Sequence, residues 1–514
     1  MTNVNWVALI VFVLLFGFIT WLGFKAARWR KGDLDLLNEW GLGGRRFGTV
    51  VTWFLIGGDL YTAYTFVAVP ALAFGAGAIA FFAVPYTIII YPLMFVAFPR
   101  LWRVARKHQY ITAGDFVKGR YGNRWLALAI TVTGIVATMP YIALQLVGLQ
   151  VVLGGLGLTA GGGWTADLPL IIAFVILATF TYTSGLRAPA AIAIVKDLLI
   201  YLTALVAVIV VPIHLGGFGH IFSAIPPAKV LLAAPTGNST GVYGVYITLA
   251  VGSAMALFLY PHSITGMLSA SSAHAVRRNA ALLPAYSVML GLLALLGFFA
   301  LAAGVAKMPQ FAAGFAEYKA QFAVPALLLY SFPSWFVGIA FAAIGIGALV
   351  PAAIMSIASA NLYTRNIHRE FFNPNPTDKQ EAQMAKWVSL LIKFGALVFV
   401  LFLPTQYAIQ FQLLGGIWII QTFPAVIMGL YTRWFNDWAL LIGWAAGTVA
   451  GTAMAVAVQF KPTYVLHFAG WALPGYSALY TVLLNFAVAI VLTLVFNAMG
   501  AARRDQTVAA DYRA

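Results

Sequence analysis

Five ionisable side chains lie inside stretches of sequence that are otherwise apolar, and they limit the chemistry that this chain can perform. They are Asp59, Lys196, Asp197, His262 and Lys393. A charge at the centre of a bilayer costs about 2.5 to 3.5 kcal/mol on insertion scales, so each needs a partner, a wet cavity or a change of protonation. Carboxylates bind cations, and lysine and histidine exchange protons. The set favours the binding of protons or cations at membrane depth.

The positions of the acids suggest how they act. Asp59 follows two glycines, which loosen a helix, so we interpret its carboxylate as organising unwound backbone or answering a cation rather than only capping local amides. Lys196 and Asp197 lie nine and ten residues beyond Arg187. At about 1.5 Å per residue this places them roughly 14 Å into the membrane. Adjacent helical residues point about 100° apart, so we expect these two to contact different neighbours.

The three basic residues have alternative roles. Lys196 is either a group that reversibly exchanges a proton or a fixed countercharge to a carboxylate. His262 can carry a proton, donate to a substrate carboxylate, or form a structural hydrogen bond between helices. For Lys393 we predict a side chain that snorkels toward the cytoplasmic face.

The whole composition is that of a polytopic membrane protein. Of the 514 residues, 62% are hydrophobic and 9% charged, and the mean hydropathy is +0.91. Thirteen apolar runs are each long enough to cross a bilayer, which takes roughly 20 residues. Lipid forces backbone polar groups to pair internally, so we predict an all-α protein of about 13 transmembrane helices and exclude a soluble fold. Without cysteine, disulfides and cysteine metal sites are also excluded.

The distribution of the 30 lysines and arginines predicts the topology. With the N-terminus outside, 24 fall in cytoplasmic segments, two lie within spans, and four are external: Lys229, Lys307, Lys319 and Lys461. This obeys the positive-inside rule and predicts a multi-pass inner-membrane protein with a cytoplasmic C-terminus. The net charge of +16 is then explained by topology and anionic lipid headgroups rather than by nucleic acid, for which no basic and aromatic module is visible.

The spans fall into two matching sets. Setting aside one N-terminal and two C-terminal helices leaves ten, which divide into two sets of five that enter from opposite sides. Such 5+5 inverted repeats break the first helix of each half near the midplane, where substrate and ion bind. Matching breaks are predicted at Gly57-Gly58-Asp59 and at Tyr260-Pro261-His262-Ser263. The predicted segments are 1–46, the repeats 47–213 and 242–431, the external loop 214–241 between them, the helices 432–498, and a tail 499–514.

Four stretches carry a resemblance to a known family. Gly43–Gly48 looks like its glycine- and arginine-rich motif, Asp59 matches its acidic residue in the first core helix, Ser184–Ala188 resembles the turn before its fifth core helix, and Ala353–Ile357 resembles the signature of its eighth. In this order, the chain resembles the solute:sodium symporter family over nearly its full length. The resemblance implies the leucine-transporter type of inverted repeat and secondary transport driven by a cation gradient.

The resemblance also implies a candidate cation site. The family's sodium ligands correspond here to Gly57, Leu60, Ala353 and Ser356, the first three through backbone carbonyls. A second hydroxyl position holds Ile357, which supplies no oxygen, so any sodium site should be weak because sodium seeks oxygen ligands. Ser359, one turn along, could repair the site with water. Lys196 lies on the fifth core helix, where in some transporters of this fold a lysine takes the place of the ion. We therefore predict proton coupling, with sodium as the alternative.

Within the family the sequence is most similar to the bacterial monocarboxylate permeases, mainly through Tyr260-Pro261-His262-Ser263 and the lysine-bearing fifth core helix. Those permeases import lactate, pyruvate, acetate, propionate and related acids. Hydroxyl, amide and aromatic side chains suit a small anion, and the candidate pocket residues are Tyr61, Thr62, Thr65, Tyr86, Tyr141, Gln145, His262, Ser263 and Trp418. No arginine lies within the spans, so we expect helix N-termini and neutral donors to hold the carboxylate.

Other classes of function fit less well. Membrane enzymes need clustered metal ligands or an activated nucleophile, which five scattered residues do not supply. A sensor would need a signalling module, and only sixteen residues follow the last predicted span. Within transport, the alternative is sodium-coupled uptake of another solute, such as an amino acid or a different organic anion. We expect no cofactor other than the coupling ion, and the sequence is consistent with a monomer without fixing the oligomeric state.

Overall fold

Helices dominate the computed structural model, which describes residues 4–29, 32–159, 164–402, 408–501 and 504–513. Residues 1 and 514, the outer bounds of the predicted first and last segments, lie outside the described residues. In the first half of the chain the helices are α1 (Trp6–Lys25), α2 (Leu37–Leu42), α3 (Thr49–Leu60), α4 (Val69–Ala76), α5 (Ala83–Lys107), α6 (Ala113–Tyr121), α7 (Arg124–Gly155), α8 (Trp164–Ser184), α9 (Arg187–His214), α10 (Phe218–Ala224) and α11 (Pro227–Val230).

The second half continues with long apolar helices joined by short ones. These helices are α12 (Gly241–Leu257), α13 (Pro261–Leu268), α14 (Ala273–Leu282), α15 (Pro284–Ala302), α16 (Ala312–Tyr318), α17 (Ala323–Ser331), α18 (Ser334–Tyr363), α19 (Asp378–Phe402), α20 (Ala408–Ile419), α21 (Phe423–Val426), α22 (Asp437–Ala457) and α23 (Ser477–Ala498). Two π-helical segments, Tyr64–Ala68 and Thr364–Phe372, precede α4 and follow α18.

The number of spans depends on how the broken helices are counted. Within the described residues, eleven helices are long and apolar enough to cross a membrane, or twelve if α12 and α13, bent by 48°, form one span. The prediction of thirteen also counted the run that begins at Thr49 separately. In the structure α3 is a short apolar helix, and the helical stretch Tyr64–Lys107 that follows has 44 residues. That stretch is long enough for two passes, and it turns at Gly77, where φ is +79°.

The core is built around α18. Its most apolar window is 94% buried, and it packs against α7, α1, α9 and α19. The corresponding windows of α1 and α23 are only 28% buried, which is typical of helices at the periphery of a bundle. The enclosed helices thus surround α18, and part of the first and last helices faces outward.

A short β-hairpin departs from the all-helical prediction. Strands β1 (Thr463–Phe468) and β2 (Trp471–Tyr476) pair antiparallel, and the two residues between them, Ala469 and Gly470, have φ of +48° and +80°. Positive φ at both positions of a two-residue loop matches the twist of a hairpin. The final helix therefore begins at Ser477 rather than near 472 as the apolar run predicted.

Residues 504–513 of the predicted tail are docked on the loop between α5 and α7. Asp505 forms an ion pair with Arg120, whose side chain is buried, and Asp511 accepts a hydrogen bond from Lys107 at 2.6 Å. Lys107 is the last residue of α5, and Arg120 lies in α6. The tail thus binds the connection between the second and third core spans.

Candidate functional site

The first core helix is broken, slightly later than predicted. α3 continues through both glycines to Leu60, and its last backbone hydrogen bond joins the Tyr61 amide to the Gly57 carbonyl at 3.1 Å. Tyr61 is extended, with φ −93° and ψ 92°. The helical path then resumes in the π-helical segment Tyr64–Ala68. The carbonyls at the end of α3 therefore lack the next helical turn and can accept other donors.

Side chains from two helices satisfy the amides that follow this break. The Thr65 hydroxyl accepts from the Thr62 amide at 3.0 Å, and the Thr62 hydroxyl accepts from the Tyr64 amide at 3.0 Å. Gln145 of α7 accepts from the Ala63 amide at 3.1 Å. Thr62, Thr65 and Gln145, three of the predicted pocket residues, thus cap the second half of the helix. Their contact with a substrate stays a prediction.

Lys196 occupies the carbonyl end of the break. Its buried ammonium group donates to the carbonyls of Gly58 and Tyr61, the latter at 3.0 Å. These carbonyls are offset by one residue from Gly57 and Leu60, the predicted sodium ligands, whose ion-binding role stays a prediction. The lysine amine thus lies next to the stretch of backbone in which the resemblance implied a cation site.

Lys196 also contacts its neighbour in sequence, against prediction. The lysine Nζ lies 3.1 Å from Oδ1 of Asp197, and Tyr286 of α15 donates to Oδ2 of the same carboxylate at 2.6 Å. The expectation of separate neighbours considered only the angle between adjacent helical positions. It was wrong because the flexible four-carbon stem of lysine lets the ammonium fold back onto the adjacent carboxylate.

The paired glycines allow close approach rather than loosening the helix. A Cβ atom on Gly58 would lie 2.8 Å from Nζ of Lys196 and 3.0 Å from each oxygen of Asp197. A Cβ atom on Gly57 would overlap the ring of Tyr286. Two missing side chains therefore make the room in which the lysine, the carboxylate and the tyrosine meet α3.

The second broken helix meets the first through Asp59 and His262. The chain bends between α12 and α13, and Pro261 begins α13, a position where its missing N–H costs nothing. Nε2 of His262 lies 3.4 Å from Oδ2 of Asp59, and both residues are buried. Within the described residues, Nδ1 of His262 has no hydrogen-bond partner. A polar contact thus joins the two interrupted helices, and one ring nitrogen remains available.

Aromatic and hydroxyl groups surround this junction. The ring of Tyr141 lies 5.4 Å from the rings of both Tyr260 and His262. Tyr260 donates to the Gln412 carbonyl of α20 at 3.0 Å, and Ser263 donates to the last carbonyl of α12 at 3.2 Å. Ser263 therefore closes the break, while the ring of Tyr141 packs edge to face against the histidine ring.

A third cluster lies between α18 and α19. Ser356 donates to the Ala353 carbonyl at 2.8 Å, Ser389 donates to Ser356 at 3.2 Å, and Lys393 donates to Ser389 at 2.7 Å. Lys393 is completely buried, so the prediction of a snorkelling side chain was wrong. Its serine partner, one helical turn away, holds it inside the protein. The four-residue spacing from Ser389 was the signal that could have indicated this contact.

The two remaining cation-site candidates, Ile357 and Ser359, are both buried in α18. Ile357 is fully buried and brings no oxygen. The hydroxyl of Ser359 is buried and has no hydrogen-bond partner within the described residues.

A small cavity of about 10 Å³ lies beside the first break. Its lining includes Leu60, Tyr61, Thr65, Tyr86 and Tyr286. This volume is close to the minimum for one water molecule, so an organic acid would bind there only after the surrounding side chains move apart. Three predicted pocket residues thus line one cavity, and Tyr286, which the sequence did not indicate, connects it to Asp197.

Comparison with known proteins identifies the chain. Residues 40–447 match the sodium:solute symporter family. The chain belongs to this family. The symporter is 48% identical to a monocarboxylate transport permease protein of Rhizobium johnstonii, over 98% of this chain and 99% of that one. It is 33% identical to the uncharacterised symporter YodF of Bacillus subtilis, over 86% of each chain.

A solved structure shares the fold of the symporter. This structure, of a Na⁺-coupled sialic acid symporter in a substrate-bound, outward-open state, aligns with a TM-score of 0.75 at 14% identity, covering 97% of this chain and 99% of that one. The predicted leucine-transporter type of fold is confirmed. The symporter is a multi-pass membrane protein of a transporter family, with a small solute as its substrate class.

One predicted pocket residue of the symporter lies apart from the others. The indole of Trp418 donates to Thr452 of α22 at 3.1 Å, so its polar group faces a C-terminal helix. The other candidates lie at the first break, at the second break or in the cavity between α3, α5 and α15. The structure therefore brings together eight of the nine pocket positions.

Proposed function

We propose that the symporter imports short monocarboxylates of the lactate, pyruvate, acetate and propionate type, driven by protons rather than by sodium. The substrate class is supported by the similarity to the monocarboxylate transport permease, which extends over almost the whole of both chains. The buried polar groups at the junction support a small anion. Nδ1 of His262 can donate to a carboxylate, with the ring of Tyr141 beside it.

The observation that carries proton coupling is the position of Lys196. Its ammonium donates to two carbonyls of the broken helix and contacts Asp197, so a positive charge is already supplied there by the protein. A hard cation such as sodium needs several oxygen ligands, and Ile357 removes one of those that the family resemblance implies. Loss of the proton would remove the charge that strengthens these contacts and so weaken the hold on the carbonyls, and its return would restore it. Protonation can therefore replace ion binding in the cycle.

Alternating access is the mechanism that this fold supports. The two breaks meet through Asp59 and His262, so movement of one repeat relative to the other would alter the junction at which the substrate binds. We assign the repeats to 47–213 and 242–431. In the proposed orientation the N-terminus lies outside the inner membrane and the tail is cytoplasmic, as the distribution of basic residues favours.

The test is uptake of labelled lactate or pyruvate into proteoliposomes under a pH gradient or a sodium gradient, each imposed separately. We expect uptake with the pH gradient and little with sodium. Uptake driven by sodium alone would refute proton coupling and favour the sodium-coupled alternative that the family's name suggests. No uptake of any monocarboxylate under either gradient would refute the substrate class and leave another small solute.

A matched pair of variants isolates the lysine. Lys196→Met should abolish accumulation driven by the pH gradient. Lys307→Met removes the same charge from an exposed position and should leave accumulation unchanged. Wild-type accumulation in the Lys196 variant would remove the role given to this residue.

A further inference from the structure

We infer that Lys393 is a second proton-binding group of the transport cycle and that Ser389 and Ser356 connect it to α18. The inference rests on the proposed proton coupling and adds a site to it. Lys196 contacts the first broken helix, whereas Lys393 is linked through Ser389 to the helix that holds the other half of the implied cation site. Each half of the implied cation site would then be linked to one lysine.

The first support is a continuous hydrogen-bonded relay. From the amine, it runs 2.7 Å to Ser389, 3.2 Å to Ser356 and 2.8 Å to the carbonyl of Ala353. All four residues are buried. The relay therefore leads from α19 to two residues that the family resemblance places in the cation site.

The second support is the lack of a fixed countercharge. α18 carries no charged residue and one titratable group, Tyr363. The other elements that pack most extensively on α19 bring charged or titratable groups at Arg124, Tyr141, Asp167, Tyr182, Glu39, Arg365, His368, Arg369 and Glu370, and the segment before α2 brings Asp35, which pairs with Lys386 at 3.6 Å. α19 itself adds Asp378, Lys379, Glu381 and Lys386. In the part of the chain that the structure describes, none of these forms an ion pair or hydrogen bond with Lys393, whose one partner is Ser389.

Acids on α2 and on α19 itself are already engaged in ion pairs. Glu39 pairs with Arg187, and Glu381 pairs with Arg365 at 3.3 Å. An unpaired ammonium at membrane depth costs about 2.5 to 3.5 kcal/mol on insertion scales. A lysine without an acid therefore gains from releasing its proton when the site is dry and from binding one when water enters. This distinguishes it from Lys196, which has a carboxylate beside it.

Protonation would set the direction of the relay. A protonated lysine can only donate, so both serines must pass their hydrogens onward toward the Ala353 carbonyl, as in the structure. A neutral amine can accept from Ser389. Ser389 would then stop donating to Ser356, which frees Ser356 to turn. The charge on α19 is thus conveyed to α18 without direct contact between lysine and backbone.

The experiment measures the limiting accumulation of labelled lactate in proteoliposomes at several imposed pH gradients. Each coupled proton multiplies the limiting accumulation by about ten per pH unit of gradient, since one pH unit corresponds to about 1.36 kcal/mol. If Lys393 binds one proton per cycle, Lys393→Met should lower the limit about tenfold at a gradient of one unit. Lys393→Gln serves as a second variant in case the apolar substitution impairs folding.

Two further variants separate proton binding from a structural role. Lys393→Arg keeps a permanent charge and the hydrogen bond, so it should not restore accumulation, whereas a structural cation would be rescued. Lys379→Met removes a lysine from the exposed start of the same helix and should behave as wild type. Exchange of external for internal lactate without a gradient should persist in the Lys393 variants, because it needs no net proton transfer.

The outcomes distinguish the inference from the proposed function. If wild type fails to respond to the pH gradient, proton coupling is refuted and the inference falls with it. If wild type responds and both Lys393→Met and Lys393→Gln keep its accumulation limit, only the inference is refuted. Restoration of the accumulation limit by Lys393→Arg would likewise refute the inference, because Lys393 would then act only as a structural charge.

Discussion

Substitution of Gly58 by alanine tests the arrangement at the first break most directly. The added Cβ would lie 2.8 Å from Nζ of Lys196, closer than real Cβ atoms approach other heavy atoms. The end of a lysine side chain moves more easily than backbone, so we expect the ammonium to leave the carbonyls of Gly58 and Tyr61 while the fold persists. The variant therefore removes the contacts without removing the charge.

The magnitude follows from the lost hydrogen bonds. Hydrogen bonds that involve a charged group contribute about 1.5 to 3 kcal/mol each, so loss of two costs about 3 to 6 kcal/mol. Alanine inside a helix is more favourable than glycine by roughly 1 kcal/mol, which offsets part of this loss. The net loss of at least about 2 kcal/mol corresponds to a decrease of about thirtyfold or more in the rate of pH-driven uptake. The higher helix propensity of alanine offsets part of the loss in stability, and the folded state of the variant is checked directly.

The assay is uptake of labelled lactate into proteoliposomes, with size-exclusion chromatography to verify that each variant is folded. Gly48→Ala is the matched control, because a Cβ there meets no atom within 4 Å and the position begins the same helix. Transport by folded Gly58→Ala at the wild-type rate, with an unchanged response to pH, would refute the role of these contacts.

Three further predictions concern other parts of the site and the tail. Asp59→Asn removes the charge at the junction of the breaks and should reduce uptake about tenfold or more, whereas near-normal uptake would mean that the carboxylate only caps backbone. Ile357→Thr restores an oxygen on α18 and should add a response to a sodium gradient; an unaltered cation dependence would argue against the missing ligand. Although burial opposes it, hydrogen bonds from Lys107 and His108 hold the pKa of Asp511 well below its usual range. Its stabilising effect is therefore fully present above about pH 3.9 and is lost as the pH falls toward the folded value. Asp511→Asn should speed proteolysis of the tail at neutral pH, and equal cleavage of both proteins would contradict this.

The sequence predicted the helices and breaks because bilayer length and backbone pairing leave few alternatives. The second break was placed correctly to within a few residues, since proline cannot continue a helix interior. The first break lies beyond Gly57 and Gly58 because these glycines make room for side chains from other helices. Such contacts between distant elements have no local signal, which is why Tyr286 was not indicated.

The sequence indicated which residues belong to the site better than it indicated which of them contact one another. Asp59, Lys196 and His262 attracted attention because charge at membrane depth is costly, and the structure gives each a polar partner. The pairing of Lys196 with Asp197 depends on a flexible stem that an angle along the helix does not describe. For Lys393 the nearby serine was visible in the sequence, but whether the helix face turned inward required the packing of α19 on α18.

Because Lys196 is part of the chain, its ammonium cannot diffuse away from the carbonyls that it contacts. A dissolved ion fills its site according to its concentration, whereas this ammonium is held beside its acceptors at an effective concentration fixed by the fold. Under the proposed proton coupling, changes in the salinity of the medium would leave its presence unaffected, and acidity would switch it. A carrier built in this way would bind its solute with unchanged affinity even when the surrounding water contains almost no salt.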